Sequence, residues 1–143
     1  MNLYEMFETV PTLETDGVWI AYSPDEDAAA FKLARAGGEN RKYEQLIAKR
    51  LMPFRRLLEA QKDDPDPKTL THVDDIMLGV WIETCLKDWK NVKDKETGED
   101  LPFNKDNALK LFKWVPELGR DLREKSKEIT TFRRKEAEEV AKN

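Results

Sequence analysis

One histidine, one cysteine and several closely spaced carboxylates are the side chains of this chain whose types could do chemistry. His72 stands alone, whereas a histidine-based metal site needs further imidazole or thiolate ligands at fixed spacing. It reads as an exposed residue in the first turn of a helix. Cys85 lies between Trp81 and Trp89 in an apolar helical pattern. No base sits at helical spacing to activate it, so it reads as a buried inert thiol. As the single cysteine it excludes an intrachain disulfide and suits a reducing compartment. Asp63, Asp64 and Asp66 form an acidic run that lacks the glycine and terminal glutamate of a calcium loop. Residues 94–99 fail the same comparison. Gly37-Gly38 is not followed by the Lys-Ser/Thr pair of a phosphate-binding loop. Adjacent carboxylates such as Asp74 and Asp75 arise by chance among 29 acids, and none lies in an apolar setting that would raise its pKa. The pattern implies no catalytic residue, no cofactor and no metal site, hence not an enzyme.

Charge narrows the class further. The 143 residues carry a net charge of −4, with 38% charged and 9% aromatic residues. A chain of this length suits one domain (residues 1–143) that buries about two-thirds of its unfolded surface. Its charge is arranged in blocks: residues 1–31 hold seven carboxylates and no Lys or Arg, while residues 32–62 hold nine Lys or Arg against three Glu. Such blocks pair within the fold or between copies of the chain. Arg41, Lys42, Lys49, Arg50, Arg55 and Arg56 interleave with Tyr43 and Phe54. The two aromatics fall on the apolar stripe of that helix, so they read as core, and the acidic total argues against nucleic acid. The start of the chain has no cationic segment or apolar run of signal-peptide length. The longest apolar stretch, residues 76–82, is far short of a membrane span. These features predict a soluble cytoplasmic protein that does not engage a membrane.

The elements that must position these residues predict a mainly α (α+β) fold, four to five helices packed as a small bundle with an N-terminal β-hairpin. Residues 1–16 form an acidic arm. Residues 17–36 form the hairpin, with β-branched and aromatic Val18–Tyr22 pairing with residues 29–34 across a Ser-Pro-Asp turn. Residues 39–132 form the helical core. Its first helix, 39–62, is interrupted by Pro53, which removes a hydrogen bond and clashes with the preceding turn. The Asp63–Pro67 stretch breaks the chain. A second helix starts with Thr71 and Asp74 as a capping pair and runs to about Trp89. Asn104 caps a short helix whose inward face is Ala108, Leu111, Phe112 and Val115. Pro116 stops it and begins a last helix carrying Leu118, Leu122, Ile129 and Phe132. Residues 133–143 read as a charged, mobile tail with little to bury.

The order Asp88-Trp89-Lys90-Asn91-Val92, then Leu101-Pro102-Phe103-Asn104, then Val115-Pro116-Glu117-Leu118 resembles the tail assembly chaperones of long-tailed (siphovirus-like) bacteriophages and prophages. Gly17-Val18-Trp19-Ile20 and Phe31-Lys32-Leu33-Ala34-Arg35 extend the likeness, which spans residues 17–134. The resemblance implies a protein made in the host bacterial cytoplasm and absent from the mature virion. It implies binding and solubilising of the tape-measure protein and recruitment of tail-tube protein subunits during tail morphogenesis. No catalytic residues come with it.

An amphipathic client helix needs an apolar seam bordered by charge. The end of the last helix is the sequence's candidate: Ile129 and Phe132, flanked by Arg133 and Arg134. Self-association between the acidic N-terminal block and the basic first helix of a neighbour is a second expected contact. The competing classes are a structural head–tail connector or completion protein retained in the virion, and a generic helical adaptor.

Overall fold

Three short strands organise the molecule: Val18–Ala21 (β1), Ala30–Leu33 (β2) and Leu86–Lys90 (β3), in the antiparallel order β1-β2-β3. The computed structural model describes residues 2–133. Val18 lies opposite Leu33 and Ile20 opposite Phe31, so one face of the hairpin is apolar while Trp19 and Lys32 take the other. β3 was expected to be the end of a helix. Trp81, Cys85 and Trp89 do recur at helical spacing, but α5 (Pro67–Thr84) stops at Thr84. There the Thr84 hydroxyl donates back to the Val80 carbonyl, and the Cys85 carbonyl accepts from Ala34 N at 2.7 Å. The chain then joins the open edge of β2, a pairing that local periodicity does not reveal. The predicted hairpin is therefore part of a three-stranded sheet, and the fold is a mixture of helix and sheet.

Other boundaries moved for identifiable reasons. The acidic arm holds two short helices, Leu3–Phe7 (α1) and Pro11–Asp16 (α2). The basic helix runs Arg41–Leu51 (α3), turns through a 3-10 segment at Met52–Phe54 and resumes as Arg55–Ala60 (α4). Pro53 sits in the 3-10 turn, where its missing N–H does least harm. α5 begins at Pro67, not Thr71, because Asp66 caps it by accepting from Lys68 N at 2.9 Å. The Thr71 hydroxyl instead donates to the Pro67 carbonyl within the helix. Lys105–Trp114 (α6) is capped by Asn104, which accepts from Asn107 N at 2.8 Å. Val115 links α6 to Pro116–Lys127 (α7) and is exposed, not inward.

The core lies between the apolar sheet face, the last turns of α5, and α6 and α7. It contains Phe31, Leu33, Trp81, Leu86, Trp89, Leu111, Phe112 and Leu122. Each large side chain there stabilises by about 1.5–3 kcal/mol through leaving water. Trp81 meets Phe112 edge-on at 5.6 Å, and its indole N–H donates to the buried Ser126 hydroxyl at 2.9 Å. Only the C-terminal part of α5 is central, since its buried residues begin at Val80. No described helix is long and apolar enough to cross a membrane.

Candidate partner-binding surfaces

Several of the residues that carry the resemblance interlock around Trp89. Trp89 packs edge-on against Phe31 at 6.3 Å and against Phe103 at 5.1 Å. Its indole N–H donates to the Leu101 carbonyl at 2.8 Å, and Leu101 N donates to the Val92 carbonyl at 2.8 Å. Between them the chain doubles back: Asp94 Oδ1 accepts from Glu96 N and Thr97 N, and the Asp94 carbonyl accepts from Gly98 N. Asn107 then donates from its side chain to the Pro102 carbonyl at 2.8 Å. The Leu-Pro-Phe-Asn segment thus serves as the joint between β3 and α6.

The seam read from the sequence does not exist as a continuous helix face. α7 ends at Lys127, Glu128 is extended, and Ile129–Phe132 forms a separate 3-10 turn. The Thr131 hydroxyl donates to the Lys125 carbonyl and folds that turn back. Phe132 is thereby driven inward to 0% exposure, while Ile129 is half-buried. Phe132 is therefore a core residue of the single chain, whereas it reads from the sequence as part of a partner-binding seam. Its carbonyl accepts from Val10 N at 2.9 Å, and Arg133 Nη1 donates to the Met6 carbonyl at 3.1 Å. This end of the chain therefore holds the N-terminal arm in place. Arg134 and the rest of the predicted tail lie outside the described residues.

A groove of mixed apolar and charged lining lies instead between α5, α6 and α7. Its volume is about 460 Å³, and Leu78, Leu109, Phe112 and Gly119 contribute to its lining. Asp74 and Asp75 belong to one helix bordering it, Lys113, Arg120 and Arg123 to the other two. Arg123 reaches to 3.6 Å from Asp74. Gly119 lets the Phe112 ring approach closely, since a Cβ there would sit 3.1 Å from the ring. Apolar side chains and charges of both signs therefore share one lining, a combination that matches the two faces of an amphipathic helix. Sequence reading missed this groove because its residues come from three helices whose relative placement no local pattern encodes.

A second hollow, about 540 Å³, lies over the outer face of the sheet beside Trp19, Tyr22, Pro24 and Lys90. Lys90 Nζ stands 4.6 Å from the Trp19 ring centre. The Tyr22 hydroxyl donates to Asp121 and ties this loop to α7. Burial, reinforced by that carboxylate, pushes the Tyr22 pKa up. Lys125 and Tyr22 together hold the Asp121 carboxyl below its usual range.

The reactive side chains are placed as structure. Cys85 is fully buried beside Thr84 and Asn40, and burial pushes its thiol up to about 12. His72 is exposed and meets the Phe54 ring at 5.0 Å. Among the described residues no group of three His, Cys, Asp or Glu is placed to hold a metal ion. Glu83 accepts from both Lys105 and Arg50, joining α6 and α3 through α5, and these partners hold its pKa low. Glu14 is 1% exposed and is the one carboxylate among the described residues buried so completely. It accepts from Arg35, from the Thr9 hydroxyl and from Glu39 N.

Among the described residues, one run of large apolar side chains is exposed. In α1, Leu3, Tyr4 and Phe7 are 60% exposed or more, and Met6 is also exposed.

Comparison with known proteins places this geometry in a lineage. The model of a family described as YdaY prophage protein matches residues 38–143, from the loop before α3 onwards. Neither the curated proteins nor the solved structures give a match.

Proposed function

This chain belongs to the YdaY prophage protein family, and from that premise we propose that it is a phage tail assembly chaperone. It binds and solubilises the tape-measure protein in the host cytoplasm and helps recruit tail-tube subunits. It leaves before the virion is complete. The observation that carries this reading is the interlocked Trp89–Leu101–Phe103–Asn104 unit. These residues are among those that resemble tail chaperones, and they form the joint between β3 and α6.

The groove is the client site in this account. An apolar ridge of a client helix lies over Leu78, Leu109 and Phe112, with its own charges meeting Asp74 and Asp75 on one side and Arg120 on the other. Leu109→Asp tests it, since Leu109 is 38% exposed and a charge there leaves the core untouched. The variant should melt like the parent and yet fail to keep the tape-measure protein soluble. A Leu109→Asp chain that solubilises the client normally would remove the groove from the mechanism. Mass spectrometry of purified particles addresses the structural-component alternative, for which this protein would have to be present in the virion.

A further inference from the structure

We propose that this chain assembles head to tail, α1 of one copy docking on the 3-10 turn and α4 of the next. The donor surface is α1 itself. Leu3, Tyr4, Met6 and Phe7 make up all of this five-residue helix except Glu5, and all are exposed. A lone five-residue helix is not stable in water, so its presentation needs a support. It has one: Asn2 caps it by accepting from Glu5 N at 2.9 Å, and Arg133 Nη1 donates to the Met6 carbonyl behind it. An apolar cluster held outwards in this way marks an interaction surface.

The acceptor is on the same chain and has the complementary chemistry. Met52 is 68% exposed in the 3-10 turn and Leu57 43% exposed in α4. Lys49, Arg55, Arg56 and Lys62 surround them in sequence and are exposed. Glu5 and Glu8 accompany α1, and residues 1–31 contain no Lys or Arg at all. Among the described residues none of these four cations, nor Glu5 or Glu8, is in a salt bridge. Both apolar sets are exposed in the single chain, so they do not cover each other. A second copy supplies the acidic apolar helix to the basic apolar ridge. The two surfaces differ, so the contact is heterologous and repeats into a ring or a filament. Apolar contact supplies affinity, and the opposed charges fix the order of the copies.

Sedimentation velocity of the full chain over a range of concentrations and salt tests the assembly. The parent should form concentration-dependent oligomers that weaken as salt rises. Glu5→Lys with Glu8→Lys, and separately Arg55→Glu with Arg56→Glu, should each weaken self-association by about tenfold or more. Mixing the two variants should restore it, since each then offers the charge that the other needs. Phe7→Asp should abolish it, and all variants should keep the parent's circular dichroism and melting temperature. A parent that stays monomeric at every concentration overturns the proposal and leaves α1 to a different partner. Association that survives the charge reversals, or is not restored by mixing, overturns the docking mode.

Discussion

Glu14 shows how a single buried side chain ties distant segments together. It is buried, yet its carboxylate is shared between Arg35, Thr9 and the backbone of Glu39, joining α2 to the segment that leads into α3. Gly38 makes room for the arrangement: its φ is +55°, and a Cβ there would lie 2.6 Å from Arg35 and 2.7 Å from Glu14. Removing one partner of a buried ion pair leaves the other charge uncompensated. Arg35 keeps some solvent contact, so Glu14→Ala is expected to cost about 2–3 kcal/mol in urea unfolding. Nothing in the sequence separates Glu14 from the other acids of its block, because burial here is decided by contacts with residues 21 to 25 positions away. Phe132 behaves similarly. Phe132→Ala should lose about 3–5 kcal/mol through the cavity it leaves, whereas Ile129→Ala should lose clearly less. Equal losses at the two positions would mean that Phe132 is not the buried anchor. Cys85 gives a third residue-level test. Its thiol is buried and held protonated at neutral pH, so a thiol reagent should react only at the rate at which the chain opens.

Among the elements, those that are defined locally were legible in the sequence and those completed by distant pairing were not. The Asn104 cap and Pro116 at a helix start depend on residues within a few positions of one another, and the hairpin strands are neighbours in the chain. Leu86–Lys90 failed that condition, because the helical spacing of Trp81, Cys85 and Trp89 continues across the point where the edge of β2 captures the chain. The end of α7 failed for a related reason: Ile129 and Phe132 continue its spacing, but the chain turns at Glu128. The groove needs three helices at once, so only its individual residues could be read. Elements joined by carboxylates should also respond to acid. Glu83, bridging α3, α5 and α6, and Asp121, bonded to Tyr22 and Lys125, both have lowered pKa values. Their contribution is present above the unfolded carboxylate value of about 4 and is lost as pH falls through the lower folded values. Melting temperature should therefore fall below about pH 4, and a Glu83→Gln chain should show a shallower fall. An unchanged acid profile in that variant would mean that the bridge does not stabilise the fold.

At the scale of the whole molecule, charge and apolar surface are segregated along the chain. An acidic apolar helix stands at one end of the chain and a basic ridge follows the hairpin. The groove between α5, α6 and α7 is separate from both in its lining residues. A chain built this way can hold a neighbour through α1 while its groove stays open to a client. An ordered array of such copies would then cover an extended helical protein along its length. The family match covers the groove and the basic ridge but not α1. Client binding and self-assembly should therefore separate genetically: Leu109→Asp removes the first and Phe7→Asp the second.

The most direct test of the central claim is co-expression of this chain with the tape-measure protein of the same prophage, measuring the soluble and co-purifying client. The account predicts that the client is insoluble alone and becomes soluble in complex with this chain. A client that stays insoluble in its presence, or is equally soluble without it, would contradict the chaperone assignment.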